Sequence, residues 1–183
     1  MERRELLRWI AAVSGCALVG GREAFAAAGT DEAPPAFGPE EIALLDEIAE
    51  TIIPRTETPG ARDAGVGPFM ARFAAARYEP GQIAALRSGL VEVEAHSHER
   101  FGTGFLAATV EQRRSLLEEL DAQARARRGQ GGAPEHYYTL LLQLTLLGFF
   151  TSEPGMTKVL RYRPVPGRYQ GCVPWHPGET YWS

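Results

Sequence analysis

The sequence predicts an all-α fold: a small irregular helical bundle followed by an extended, aromatic, Pro/Gly-rich C-terminal tail. Three observations point there. Apolar residues recur at spacings of three and four through successive stretches between residues 38 and 160. Those stretches are punctuated by helix start and stop residues, among them Pro39, Pro54, Glu79-Pro80-Gly81 and Gly102-Thr103-Gly104. No segment alternates apolar and polar residues with the period of two that a half-buried strand requires, and none repeats.

The first helix opens at Gly38-Pro39-Glu40-Glu41, with proline at the first helical position and acids in the first turn, where the helix dipole favours them. Ile42, Leu45, Ile48, Ala49 and Ile52 form its apolar face, and Pro54 stops it. Residues 55–65 read as a loop rich in turn formers. A second helix is predicted over Pro68–Arg77, with Phe69, Met70 and Phe73 inward; Glu79-Pro80-Gly81 breaks it and starts the next. The third covers Gln82 to about Arg100, on Ile83, Leu86, Leu90 and Val93. Thr109-Val110-Glu111-Gln112 has the form of a capping box, in which the threonine oxygen and the glutamine side chain each satisfy a free backbone N–H. The fourth helix follows it on Leu116, Leu117 and Leu120 and ends at Arg125–Arg128, before a Gly129–Gly132 hinge. Pro134-Glu135 opens the most apolar helix, from His136 to Phe150. Leu140, Leu141, Leu142, Leu144, Leu146 and Leu147 are expected to surround it and make it the centre of the core. Ser152-Glu153-Pro154 begins a last short helix reaching Leu160.

Met1 to Ala26 reads as an export signal. Arg3-Arg4, Glu5, Leu6-Leu7 and Arg8 follow the twin-arginine order of two arginines, any residue, two large apolar residues and a base. A short apolar run follows, and Ala24-Phe25-Ala26 supplies the small-x-small pattern of signal cleavage at Ala24 and Ala26. The run is shorter than the roughly 20 apolar residues of a membrane span. Val13-Ser14-Gly15-Cys16 also has the order of a lipobox, so lipidation of Cys16 stands as an alternative to its removal. The twin-arginine route carries folded cargo, and the protein is expected to be periplasmic, at the outer face of the inner membrane or free of it. The expected organisation is a signal over 1–26, a flexible leader over 27–37, the helical domain over 38–160 and the tail over 161–183.

The chain carries 19 basic and 23 acidic side chains, a net charge of −4, and cleavage of the leader would make it slightly more acidic. That balance, with no basic run, argues against nucleic-acid binding, which depends on neutralising phosphates. His96 and His98 lie two apart on a predicted helix and point away from each other, so they cannot share a metal. No His, Cys and carboxylate spacing matches a zinc or iron site, and no Gly-x-Ser-x-Gly nucleophile motif is present. Catalytic, cofactor-binding and metal-binding residues are therefore all expected to be absent from this chain. The tail from Arg161 combines helix-breaking prolines and glycines with Tyr162, Tyr169, Trp175, Tyr181 and Trp182. Solvated segments are poor in aromatics, so this tail is expected to pack, either over its own bundle or on another protein. After cleavage Cys172 would be the one remaining cysteine, without an intramolecular mate.

Three blocks resemble those of a known family. They are Ile52-Ile53-Pro54 with Thr58-Pro59-Gly60-Ala61 and Asp63-Ala64-Gly65-Val66, then Thr145 to Gly155, then Tyr162 to Trp175. In this order they resemble subunit 3, the small subunit, of gluconate 2-dehydrogenase and related flavin dehydrogenases for sugars and sugar acids. The resemblance implies a helical accessory protein without catalysis of its own. It implies a large subunit that holds FAD and lacks an export signal, and a multihaem cytochrome c subunit that passes electrons to the membrane. Membrane association would then arise only through the complex. Tyr162, Tyr169, Cys172, Trp175, Tyr181 and Trp182 would be partner-binding, with Cys172 in a disulfide to the large subunit. The alternative is a stand-alone exported helical enzyme or small-molecule-binding protein.

Overall fold

The computed structural model describes residues 37–128 and 136–163, together with residues 165, 167, 172, 174 and 176–179. Among them are five α-helices, no strand, and two short helical turns. The helices are α1 (Pro39–Ile52), α2 (Val66–Arg77), α3 (Pro80–Phe101), α4 (Val110–Arg128) and α5 (Tyr137–Phe150). A 3-10 turn spans Phe105–Ala107 and a π-helical turn Gly155–Val159.

Helix α1 starts where its sequence places it. Glu41 reaches back so that its Oε2 accepts from the Gly38 N–H at 2.7 Å, and Leu44, Leu45, Ile48 and Ala49 are buried. Ile42 and Ile52 are half-buried against the same core. Phe37, grouped by the sequence with the leader, is only 1% exposed, and the Arg87 guanidinium lies 5.5 Å over its ring. The folded domain therefore begins at least one residue before the expected boundary.

Helix α2 begins two residues earlier than expected, at Val66, with Pro68 inside its first turn. The first four N–H groups of a helix have no partner within it, so proline removes nothing there. Gly65, with φ of 64°, makes the left-handed entry and its carbonyl accepts from Phe69. Met70 is buried as expected, whereas Phe69 and Phe73 are half-buried and face each other at 5.5 Å. The inner face uses small residues instead, including Gly67, Ala71 and Ala74. A Cβ on Gly67 would stand 2.5 Å from the Asp46 Cβ, so glycine is what lets α2 lie against α1.

Glu79-Pro80-Gly81 separates α2 from α3 and starts the latter, as expected, but α3 begins at Pro80, two residues before the expected Gln82. Pro80 is the first residue of α3, and the Gln82 side chain accepts from the Glu79 N–H at 3.1 Å. Gly102, with φ of 71°, closes this helix and donates to the His98 carbonyl. The predicted capping box of α4 is present in both directions: Thr109 N–H to Gln112 Oε1 at 2.9 Å, and Gln112 N–H to Thr109 Oγ1 at 3.3 Å. The Gly129–Gly132 hinge and Pro134-Glu135 lie outside the described residues.

Helix α5 is the central element and packs against α1, α2, α3 and α4. It is not buried all round, contrary to expectation. Leu140, Leu141 and Leu144 are inside and Leu142 is half-buried, but Leu146 and Leu147 are about 40% and 39% exposed. With Gln143 and Phe150 they form one stripe at helical spacing that the surrounding helices do not cover. Buried Thr139 and Thr145 occupy inner positions instead, and the Thr145 hydroxyl donates to the Leu141 carbonyl at 2.8 Å. After α5, Ser152 caps the next turn as expected, its Oγ accepting from the Gly155 N–H at 3.1 Å. That turn is π-helical and packs back against α5. A Cβ on Gly155 would meet the Phe149 carbonyl oxygen at 2.0 Å.

Candidate functional site

Among the described residues, no group of three or more His, Cys, Asp or Glu is placed to hold a metal. His96 is half-buried, and exposed His98 has its Nε2 3.9 Å from a Glu94 carboxylate oxygen. His136 is committed to structure: its Nδ1 accepts from the Tyr138 N–H at 3.2 Å and caps α5. Its ring stacks on Tyr137 at 4.5 Å. Burial raises the phenol pKa values of Tyr137 and Tyr138, the latter to about 12, so both stay neutral at physiological pH. Among the described residues no helix is long and apolar enough to cross a membrane.

Burial of His136, helped by Arg127, depresses its imidazole pKa. A neutral ring accepts the capping bond, and protonation would remove that acceptor. The unfolded chain takes up this proton at about pH 6.5 and the folded chain only at lower pH. Stability is therefore expected to fall as pH drops below about 6.5, and to level off below the depressed native value. Urea unfolding between pH 8 and 5 checks this, with His136→Asn as the comparison, because asparagine keeps a cap acceptor that does not titrate. An unchanged pH slope in that variant would refute the assignment.

The loop between α1 and α2 explains the first motif block. The Glu50 carboxylate accepts from the Arg55 N–H at 3.0 Å and the Arg62 N–H at 2.8 Å, joining the two ends of the loop. Gly60 lies so close that a Cβ there would stand 2.6 Å from both Glu50 oxygens. The Asp63 carboxylate takes Arg55 and the Gly60 N–H, an environment that holds it below the usual carboxylate range. Arg62 continues to Asp46 and Glu47, and Glu47 also pairs with the largely buried Arg113 of α4. The block thus builds a braced surface loop. The sequence marks it through Pro54, Pro59 and Gly60, but gives no signal that Glu50 is its clasp.

Among the described residues, two apolar surfaces bear on what the protein could bind. One is the stripe of Leu146, Leu147 and Phe150 on α5. The other is a groove of about 590 Å³ between the start of α1, the middle of α3 and the 3-10 turn. Leu44 and Leu90 form its floor, Val91 and Leu106 stand exposed on its sides, and Glu40, Glu41, Glu94 and Arg87 rim it. Neither surface was anticipated from sequence. Val91 falls beside the apolar face of α3 rather than on it, and Leu106 follows a glycine break with no periodic pattern.

Of the expected partner-binding residues, Tyr162 is about half exposed and Cys172 is an exposed free thiol. Tyr169, Trp175, Tyr181 and Trp182 lie outside the described residues, as do Arg3, Arg4, Leu6, Leu7, Arg8, Ala24 and Ala26. A family model described as gluconate 2-dehydrogenase subunit 3 matches residues 39–167. The match runs from the first residue of α1 into the tail and stops short of Cys172. No curated protein and no solved structure matches the chain.

Proposed function

The chain belongs to the gluconate 2-dehydrogenase subunit 3 family, and from that premise we propose that it is the non-catalytic small subunit of a periplasmic, FAD-dependent sugar or sugar-acid dehydrogenase. In this reading the large subunit holds FAD, performs the oxidation and has no export signal. The small subunit supplies the twin-arginine signal of Arg3, Arg4, Leu6, Leu7 and Arg8, and the folded pair crosses together. A multihaem cytochrome c subunit would take the electrons onward, and membrane contact would come through the complex.

The observation that carries this reading is the family match over the whole helical domain, residues 39–167. Two others support it. The surface formed by the described residues keeps uncovered apolar areas suited to a partner. The aromatic tail adds side-chain types that dominate interface energetics. Within it, exposed Cys172 would form the disulfide to the large subunit.

Purification of a tagged full chain from its native periplasm tests the proposal. The expected product is a fixed-ratio complex with one FAD-bearing polypeptide, with dehydrogenase activity following the pair and a linked band on non-reducing electrophoresis. A free thiol at Cys172 in that complex would remove the disulfide alone. A chain that purifies by itself with its own turnover or tightly bound small molecule would overturn the subunit assignment.

A further inference from the structure

The polar border of the acid-rimmed groove specifies the sign of what it can hold. Three carboxylates and one guanidinium line it. Arg87 is already paired, its Nε 3.1 Å from Glu41, so it offers little to an anion. Glu94 accepts from the Phe105 N–H at 3.2 Å and 3.3 Å, which anchors the 3-10 turn against α3 and fixes that side of the groove. Glu40 makes no ion pair among the described residues. Between these acids, Leu44 and Leu90 present a floor, while Val91 and Leu106 are 70% and 48% exposed. A half-open groove leaves part of a small ligand in water, whereas specific small-molecule sites bury most of theirs. An extended or helical polypeptide segment, by contrast, can cover both exposed side chains and the floor at once.

We infer that this groove seats a cationic amphipathic segment of the FAD-bearing large subunit, with apolar side chains on Leu90, Val91 and Leu106 and a Lys or Arg beside Glu40 and Glu94. This rests on the subunit reading above and adds the place and chemistry of one contact. The apolar contacts exclude water, and the complementary charge fixes register and speeds encounter.

The test uses the full chain produced with its native complex, carrying a photo-crosslinking phenylalanine at Leu106 or Val91, and at exposed Arg72 of α2 as the comparison. The expected product joins positions 106 and 91 to one large-subunit peptide in which Lys or Arg is interspersed with apolar residues. Glu40→Lys is expected to weaken the complex roughly tenfold at low salt and less at high salt, as like charges meet. Glu40→Gln, which leaves the fold and the floor intact, should fall between. If the complex forms but these positions crosslink to nothing, to an acidic peptide or to a second copy of this chain, the groove assignment is wrong and the subunit reading stands. If no flavoprotein accompanies the chain, both fall.

Discussion

Replacing Leu141 with alanine is expected to lower the unfolding free energy by about 2–5 kcal/mol, the range for truncating a buried leucine. Leu141 is fully buried on α5, and α5 is the helix that the other four share. A loss of that size should lower Tm by roughly 5–15 °C in a domain of this length. Leu147→Ala makes the contrast, since its side chain is 39% exposed on the uncovered stripe of the same helix. That change should cost no more than about 1 kcal/mol. Urea titrations of both variants measure the difference. Equal losses would contradict a one-sided burial of α5.

How far the fold could be read from sequence depended on whether a feature is local. The capping box at Thr109 and Gln112 is complete within four residues, and it was legible without the structure. The apolar faces of α1 and α4 were legible for the same reason, because periodicity reports one helix at a time. Features set by a neighbour were not. Leu146 and Leu147 are as apolar as Leu141, and only the placement of the other helices leaves them outside. Gly67 and Gly155 gave no sign that one admits a helix and the other a carbonyl. Among the candidate site residues, Cys172 and Tyr162 were legible only as proposals, through their place in the aromatic, Pro/Gly-rich tail. Glu50, Val91 and Leu106 were not, since their roles exist only once α1, α3 and the turns between helices come together.

The second large effect concerns transport. Converting Arg3 and Arg4 to lysine preserves the charge of the leader but removes the paired guanidinium groups on which the proposed signal depends. The helical domain begins more than thirty residues later, so its stability should not change. Under the escort reading the consequence extends beyond this chain. The large subunit, folded and carrying FAD, should remain in the cytoplasm with it. Substrate oxidation in the periplasm should drop to the level of cells lacking the small subunit. Restoring the signal of an unrelated twin-arginine substrate ahead of residues 27–183 should return both proteins to the periplasm. The same signal on a chain without the helical domain should export nothing else.

The most direct measurement of the central claim is therefore the location of the FAD-bearing subunit in cells whose small subunit carries Arg3→Lys and Arg4→Lys, assayed by fractionation and by flavin-linked activity in each compartment. The account predicts that the flavoprotein is retained in the cytoplasm, bound to the small subunit. Undiminished flavoprotein in the periplasm of those cells would contradict it.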